Sequence, residues 1–542
     1  MSIINIKESQ LWSKYHSNGI TLWLKGYVFS HSIEDLATDF LKATKENIHS
    51  LMREMDGHYA IVIKMENVTY VCVDKIRSIP LFVVQKGDTI VINDNAENLI
   101  NDTKLDRSNK NTNGKLSLSM SGFTIGSNTL FEALISPKAG EILVFSANRL
   151  KSIQYYKYFS NELSQKNEKA LISDLSELTL KILKKHLNSI GDRQIIVPLS
   201  AGNDSRLIVS GLKYLGANNV KCYSYGTEGN FEAEISKKIA NKLNYEWIFV
   251  PLTHASEKFF YSSSTYQEFL KFSESHCATP YIQSLSTIKY LKELKYIDSD
   301  AVFINGNSGD FISGGHVTES MQADNSEKSY SYRKELILDS LIKKHFSLWG
   351  YLKTSDNIKD IKNQLWEEIT AGCGELSDVK FDHMFYEYSE LIDRQSKYVI
   401  AGQRAYEFYG HEWRLPLWDN EYLDFWNKVP LSFKANQNLY ISMLKEKNWA
   451  EVWDDSIPVN KKTIRPEWII PLRLILKMPF ALFGIRGKKA WHQFEINFLY
   501  YWMDVTHMID TTKYSRIIMD IFKKPRNHVS WHTEDYLNRH NK

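Results

Sequence analysis

The stretch from Gln194 to Gly216 constrains this chain most. Ile195-Ile196-Val197-Pro198-Leu199 is a short apolar run of the kind that forms a buried strand. It breaks into Ser200-Ala201-Gly202-Asn203-Asp204-Ser205. Leu207, Ile208, Leu212 and Leu215 then repeat at helical spacing up to Gly216. A strand, a small-residue turn and a helix N-terminus in succession make an anion site. Backbone N–H groups converge there, and the helix dipole favours negative charge. Small residues let a phosphate approach the backbone. Asp204 would repel that phosphate unless a divalent cation lay between them, so the loop points to magnesium together with a nucleotide. The loop has neither the spacing nor the Gly-Lys-Ser/Thr ending of a Walker A motif. A plain polar turn capping a helix would use the same residue types, so the rest of the chain must decide.

At 542 residues the chain is long enough for more than one domain. Its 43% hydrophobic and 24% charged content are those of a globular protein. A net charge of +3 makes no case for nucleic acid or an anionic membrane as the main partner. No apolar stretch reaches transmembrane length; residues 469–484 come nearest, interrupted by Arg473, Lys477 and Pro479. No charged-then-apolar leader opens the sequence, so the expected location is the cytoplasm. Cys72, Cys222, Cys277 and Cys373 are scattered without a CxxC pair and read as reduced thiols, not as zinc ligands or disulfides.

Residues 1–160 are β-rich: runs at 19–24, 58–65, 69–73 and 89–93 alternate or cluster β-formers between turns. Residues 161–169 are a polar linker, and 170–187 form an amphipathic helical pattern. Strand-like and helical segments then alternate: 220–225, 231–243, 246–250, 281–294 and 301–304. Such alternation predicts a doubly wound parallel sheet over a domain of residues 170–465, with ligands beyond the carboxyl ends of its strands. Beyond residue 330 the pattern is mainly helical, and 466–542 form an aromatic, basic extension. Its Trp491, Phe494, Phe498, Tyr500, Tyr501 and Trp502 read as packing against the central domain.

A second candidate loop follows the last of these strands: Asn305-Gly306-Asn307-Ser308-Gly309-Asp310-Phe311-Ile312-Ser313-Gly314-Gly315-His316. Asp310 is its one carboxylate, placed to share a cation with Asp204 across the sheet edge. Two carboxylates plus phosphate oxygens suit magnesium, which seldom uses a full protein cage. The plainer alternative is a Gly/Ser surface loop with a solvated Asp.

Residues 200–205 resemble the SGGxDS pyrophosphate loop of the asparagine synthetase family, with Ala201 in place of a glycine. Residues 305–316 resemble that family's Gly-x-Gly-x-Asp-Glu-x-x-x-Gly-Gly-Tyr stretch. Asp310, Gly314 and Gly315 match, but the family's acid near the nitrogen nucleophile falls on Asn307 and its second acid on Phe311. Asparagine cannot serve as a general base. Glu412, Arg414, Pro416 and Asp419 match a Glu-x-Arg-x-Pro-x-x-Asp segment, where Glu412 and Arg414 read as a structural brace. Asn460-Lys461-Lys462-Thr463 falls where the family carries a lysine over the pyrophosphate, with Lys462 the first choice and Lys461 the second.

The front of the chain resembles the family's glutaminase domain, of N-terminal-nucleophile α+β type, through Asp56-Gly57-His58-Tyr59-Ala60, Val73-Asp74, Ile79-Pro80-Leu81 and Pro137-Lys138-Ala139-Gly140. In the family a cysteine at position two attacks glutamine. Here Ser2 stands there, and Lys25 and Tyr27 replace the Asn and Glu of the glutamine-binding strand. The resemblance implies an α/β fold of the adenine-nucleotide α-hydrolase type behind a degenerate glutaminase domain. It implies an AMP-forming amide ligase with ATP and Mg2+ as cofactors. Leu199, Ser200, Gly202, Asp204, Ser205, Tyr225, Gly226, Gly306 and Asn307 would bind the nucleotide, Asp204 and Asp310 the metal, and Lys462, Asp204 and Asp310 would carry catalysis. The expected partners are a small-molecule or sugar-acid carboxylate and a nitrogen source: ammonia, an amine or a partner glutaminase. The rival readings are a catalytically degenerate nucleotide-binding scaffold and an ordinary glutamine-dependent asparagine synthetase.

Overall fold

The computed structural model describes residues 1–6, 11–29, 31–43, 47–459, 466 and 468–540. Among the described residues the front domain holds two sheets. One has six strands in the order Arg149–Gln154, Glu141–Ser146, Val68–Val73, Gly57–Lys64, Ile20–Val28, Trp12–Ser17, all antiparallel. The other has four: Ser2–Ile4, Thr89–Asn93, Phe82–Lys86, Leu134–Ile135. Gly57–Lys64 is nearly continuous in apolar residues and is buried along all but its last residue, as a strand covered on both faces must be. In the smaller sheet Val83, Ile90 and Ile92 join the core of the larger one. Phe82, Val84 and Val91 pack instead with Leu99, Ile100 and Leu118 of helices Ala96–Thr103 and Thr112–Ser121. Period-two alternation thus separates two cores, with the sheets between helical layers. Helix Ile33–Lys42 starts at a capping box, Ser32 with Asp35, and buries Leu36, Ala37 and Phe40.

The linker ends where Asn167 caps helix Glu168–Ile190 by accepting from the Ala170 N–H. The central sheet is five-stranded and parallel throughout, in the order Glu246–Pro251, Val220–Gly226, Ile195–Pro198, Val302–Ile304, Glu412–Arg414. The chain winds outward from Ile195–Pro198 in one direction, then returns to its other side for the last two strands. The switch of direction therefore lies between Ile195–Pro198 and Val302–Ile304, where crevices form in such sheets. This is the doubly wound fold expected from the strand–helix alternation.

The extension packs on both domains. Residues 500–506 reach the carboxyl edge of the parallel sheet. The final helix His528–His540 sets Tyr536 and Leu537 into the core of the front domain's smaller sheet. The four cysteines are free, and burial pushes the thiols of Cys72, Cys222 and Cys373 up. No helix among the described residues is long and apolar enough to cross a membrane.

Candidate nucleotide site

Two loops leave the carboxyl ends of the adjacent strands Ile195–Pro198 and Val302–Ile304, and their aspartates meet. The Asp310 N–H donates to Asp204 Oδ2 at 3.2 Å, although 106 residues separate the two in the chain. Glycine permits the approach. A Cβ on Gly306 would stand 2.8 Å from the Asp204 carbonyl carbon, and one on Gly309 2.4 Å from Asp204 Oδ1. Ser308 takes a left-handed φ of 67° and donates its hydroxyl to Gln395 Oε1 at 2.8 Å. Gln395 belongs to the π-helical segment Leu391–Val399, a local widening that turns its side chain toward the loop.

In the first loop Ser200 N–H donates to Ser205 Oγ at 2.9 Å. Helix Asn203–Tyr214 begins after Gly202 with no side chain capping its first turn, which leaves N–H groups for an anion. Ala201 is not among the left-handed residues, so its methyl costs the turn no strain. Arg206, which the sequence presents as one more helical residue, holds this loop from behind. It donates to the carbonyls of Ala201 at 2.8 Å, Ile457 at 2.8 Å and Pro458 at 3.1 Å. It thereby ties the phosphate-loop candidate to the segment that runs into residues 460–463. Lys461 and Lys462 themselves lie outside the described residues.

A cavity of about 530 Å³ opens over the two loops. Leu199, Ser200, Asp204, Ser205, Tyr225, Gly306, Asn307 and Asp310 line it. Gly202 and Gly226 are not on its wall. Gly202 caps the helix behind it, and Gly226 lies under Val505, which a Cβ there would meet at 2.8 Å. The helix expected over 281–294 starts only at Leu285, after Ser284 with φ 68°. Gln283 and Ser284 are thereby free to donate to the Tyr225 hydroxyl at 2.8 and 3.0 Å. Tyr500, Met503, Asp504, Val505 and Thr506 of the extension complete the wall, anchored by the Thr227 N–H donating to Val505 O at 2.8 Å. No local pattern in the sequence marks that segment as part of a site.

The wall is acidic. It carries Asp204, Glu232, Asp310 and Asp504 and, among the described residues, no Lys or Arg. Burial, then the facing Asp310, push the Asp204 carboxyl up to about 7. Burial would raise Asp310 too, but His316, with Nε2 3.0 Å from Oδ2, outweighs it and holds Asp310 below its ordinary value. His316 itself is held up at about 9: burial works against the charge, but Glu390 on its other nitrogen and Asp310 prevail. The pair is asymmetric: burial pushes Asp204 up, while His316 holds Asp310 down. Its oxygens suit magnesium. They are hard carboxylate donors from two loops, Asp310 is 56% exposed at its side chain, and Asp204 Oδ1 is fixed by the Tyr440 hydroxyl at 3.1 Å. A divalent cation would also relieve the repulsion that raises Asp204.

Asn307 faces the cavity, with its N–H donating to Asn305 Oδ1 at 3.0 Å. Phe311 is fully buried and stacked on Trp418 at 5.8 Å, so the position of the family's second acid is part of the core. Glu412 accepts from Arg414 at 3.1 Å and from Arg193 at 2.6 Å, a brace at the sheet edge. Two of the front-domain departures, Lys25 and Tyr27, are interface residues. Lys25 Nζ donates to Glu407 Oε2 at 2.8 Å, both side chains being buried, and the Arg414 guanidinium lies 4.0 Å from the centre of the Tyr27 ring. Ser2 Oγ sits within the sheets, 2.8 Å from Thr69 Oγ1.

The asparagine synthase family model matches residues 174–448, a span that contains both loops and every strand of the parallel sheet. The chain belongs to the asparagine synthase family. That family is one of ATP-dependent amide ligases. No curated protein sequence matches the chain. Among solved structures it is similar to "structure of the allosteric regulatory enzyme of purine biosynthesis", at 12% identity and a TM-score of 0.18, over 54% of this chain and 56% of that one. It is similar also to the glutamine phosphoribosylpyrophosphate (PRPP) amidotransferase from B. subtilis complexed with ADP and GMP, at 12% identity and a TM-score of 0.18, over 55% of this chain and 64% of that one. The match thus spans less than two thirds of either structure.

Proposed function

We propose that this asparagine synthase-family chain is an AMP-forming amide ligase without a working glutaminase. A substrate carboxylate oxygen attacks the α-phosphorus of ATP, the bond to the β-phosphate breaks, and pyrophosphate leaves. Ammonia or an amine then attacks the acyl carbon, loses a proton, and expels AMP. The observation that carries the reading is the meeting of Asp204 and Asp310 at an acidic cavity edge beside an uncapped helix N-terminus. A wall of carboxylates with no described Lys or Arg repels a triphosphate that comes without a cation. Magnesium on Asp204 and Asp310 would supply the missing positive charge, and Lys462 is the side chain expected to neutralise the departing pyrophosphate. The free N–H groups of the first helical turn bind phosphate oxygens, while Leu199 and Tyr225 flank the nucleoside side. His316 keeps Asp310 charged.

The front domain supports the second half of the proposal. Lys25 spends its ammonium on Glu407 of the central domain, the Tyr27 ring carries Arg414 while its hydroxyl pairs with His58 Nδ1, and the Ser2 hydroxyl is taken by Thr69. Nitrogen then comes from ammonia, an amine or a partner glutaminase. The test is release of pyrophosphate and AMP from MgATP with a panel of carboxylates, small acids and sugar acids, each with ammonium or an amine. Turnover with ammonium but not with glutamine is expected. ATP binding with no turnover under any pairing would overturn the ligase in favour of a degenerate nucleotide-binding scaffold, to which Asn307 in the place of an acid would then be the pointer.

A further inference from the structure

From Trp468 to Phe494 the chain carries Arg473, Lys477, Arg486, Lys488 and Lys489 and not one Asp or Glu. This segment folds as a helical hairpin, Ile469–Ala481 and Gly484–Phe494. Its inner face is a small core of Ile469, Trp491 and Leu499, with Leu476, Phe480 and Phe494 against it. Its outer face is apolar as well. Leu474, Ile475, Met478, Leu482, Phe483 and Ile485 are each between 61% and 85% exposed. A soluble domain scatters such side chains singly; here they are contiguous around the tip of the hairpin.

Length and charge together say what covers that face. A 13-residue helix spans about 20 Å, short of the ~30 Å of a bilayer core, and Pro479 interrupts it. The hairpin can therefore enter an interface but not cross it. Lys477, Arg486, Lys488 and Lys489 are exposed beside the apolar tip, where they would meet headgroups while the tip enters the acyl boundary. A uniformly cationic rim without a carboxylate matches an anionic surface and repels a second copy of itself.

We propose that the hairpin formed by Ile469–Ala481 and Gly484–Phe494 docks this protein on the surface of an anionic lipid bilayer. The hairpin leads directly into residues 500–506, the cavity wall, so docking holds the cavity close to the membrane.

Sedimentation of the full chain with sucrose-loaded vesicles tests this. Phosphatidylcholine vesicles containing phosphatidylserine should bind the protein at least tenfold more strongly than phosphatidylcholine alone, and added salt should remove most of the difference. The double variant L482D/F483D, changed only at exposed positions, should lose binding to both vesicles with an unchanged circular-dichroism melt. The quadruple variant K477A/R486A/K488A/K489A should lose only the preference for phosphatidylserine. Two results would overturn the proposal. One is no vesicle binding by the unaltered chain. The other is a dimer or larger complex in light scattering that L482D/F483D dissociates, which would make the face a protein interface. None of these readouts needs nucleotide, so their failure leaves the ligase reading standing.

Discussion

Lys25 and Tyr27 of the front domain turn into the central domain and are consumed there, whereas Asp204 and Asp310 of the central domain face an open cavity. Both pairs sit in segments that resemble functional motifs of one family. The difference lies in what stands opposite. Across from Lys25 is the buried Glu407, itself held by Arg404 at 2.6 Å and Trp413 at 3.1 Å, so that its carboxylate is spent within the protein. Across from Asp310, which His316 holds charged, is Asp204, a buried carboxylate with no ion pair among the described residues. A buried, satisfied ion pair fixes a domain interface; two neighbouring carboxylates at a cavity edge, one of them without a cationic partner, are a place for a cation. A second join makes the same point. Lys397 donates to Thr124 O at 2.7 Å and to Asp393 Oδ1 at 2.9 Å, and Asp393 accepts from the Gly126 N–H at 2.9 Å.

This contrast can be broken by experiment. The largest effect is expected at the cavity. Asp204→Asn should lower pyrophosphate release by about 10²–10³-fold, the scale of losing one preorganised charge at a phosphoryl-transfer site, with the fold intact by circular dichroism. An active Asp204→Asn would remove the functional half of the comparison. Next is Lys25→Met, which strips one partner from a buried carboxylate. Urea unfolding should show a loss of about 3 kcal/mol, the lower end for breaking a buried pair, because Arg404 still holds Glu407. Stability unchanged by Lys25→Met would mean the interface reading is wrong.

Acid sharpens the same contrast. Burial works against the charge of Asp419, but His186 and Lys185 outweigh it and hold its carboxyl down at about 2. A depressed carboxyl stabilises the fold fully above its ordinary value near 4, and that contribution, roughly 2 kcal/mol, is lost as pH falls through 2. Asp419→Asn should therefore flatten the acid limb of a stability–pH curve; an identical limb would assign acid unfolding to other groups. The smallest effect is expected at Ser2. Ser2→Ala removes one hydroxyl contact with Thr69, worth about 1 kcal/mol, and should leave ammonia-dependent turnover untouched. Glutaminase activity abolished by that change would restore the front domain as an enzyme.

Local order was legible in the chain because it depends on local sequence. Helix Phe231–Leu243 and strand Thr89–Asn93 lie where apolar spacing places them, and the first loop opens its helix at Asn203. The aspartates were legible too, since a strand, a small-residue turn and a helix start are written in consecutive residues. Ser284 breaking the helix expected at 281, Arg206 gripping four carbonyls and residues 500–506 walling the cavity were not legible. Each depends on a partner tens to hundreds of residues away.

The sequence alone therefore determined the elements, the family's loops and the acidic pair, because hydrophobic period and turn chemistry act over a few residues. Only the tertiary structure decided that Lys25 and Tyr27 are braces, that Phe311 is core, and that an apolar, cationic hairpin is left facing outward. Burial and charge pairing are properties of what packs opposite, and strand order, not residue order, sets that.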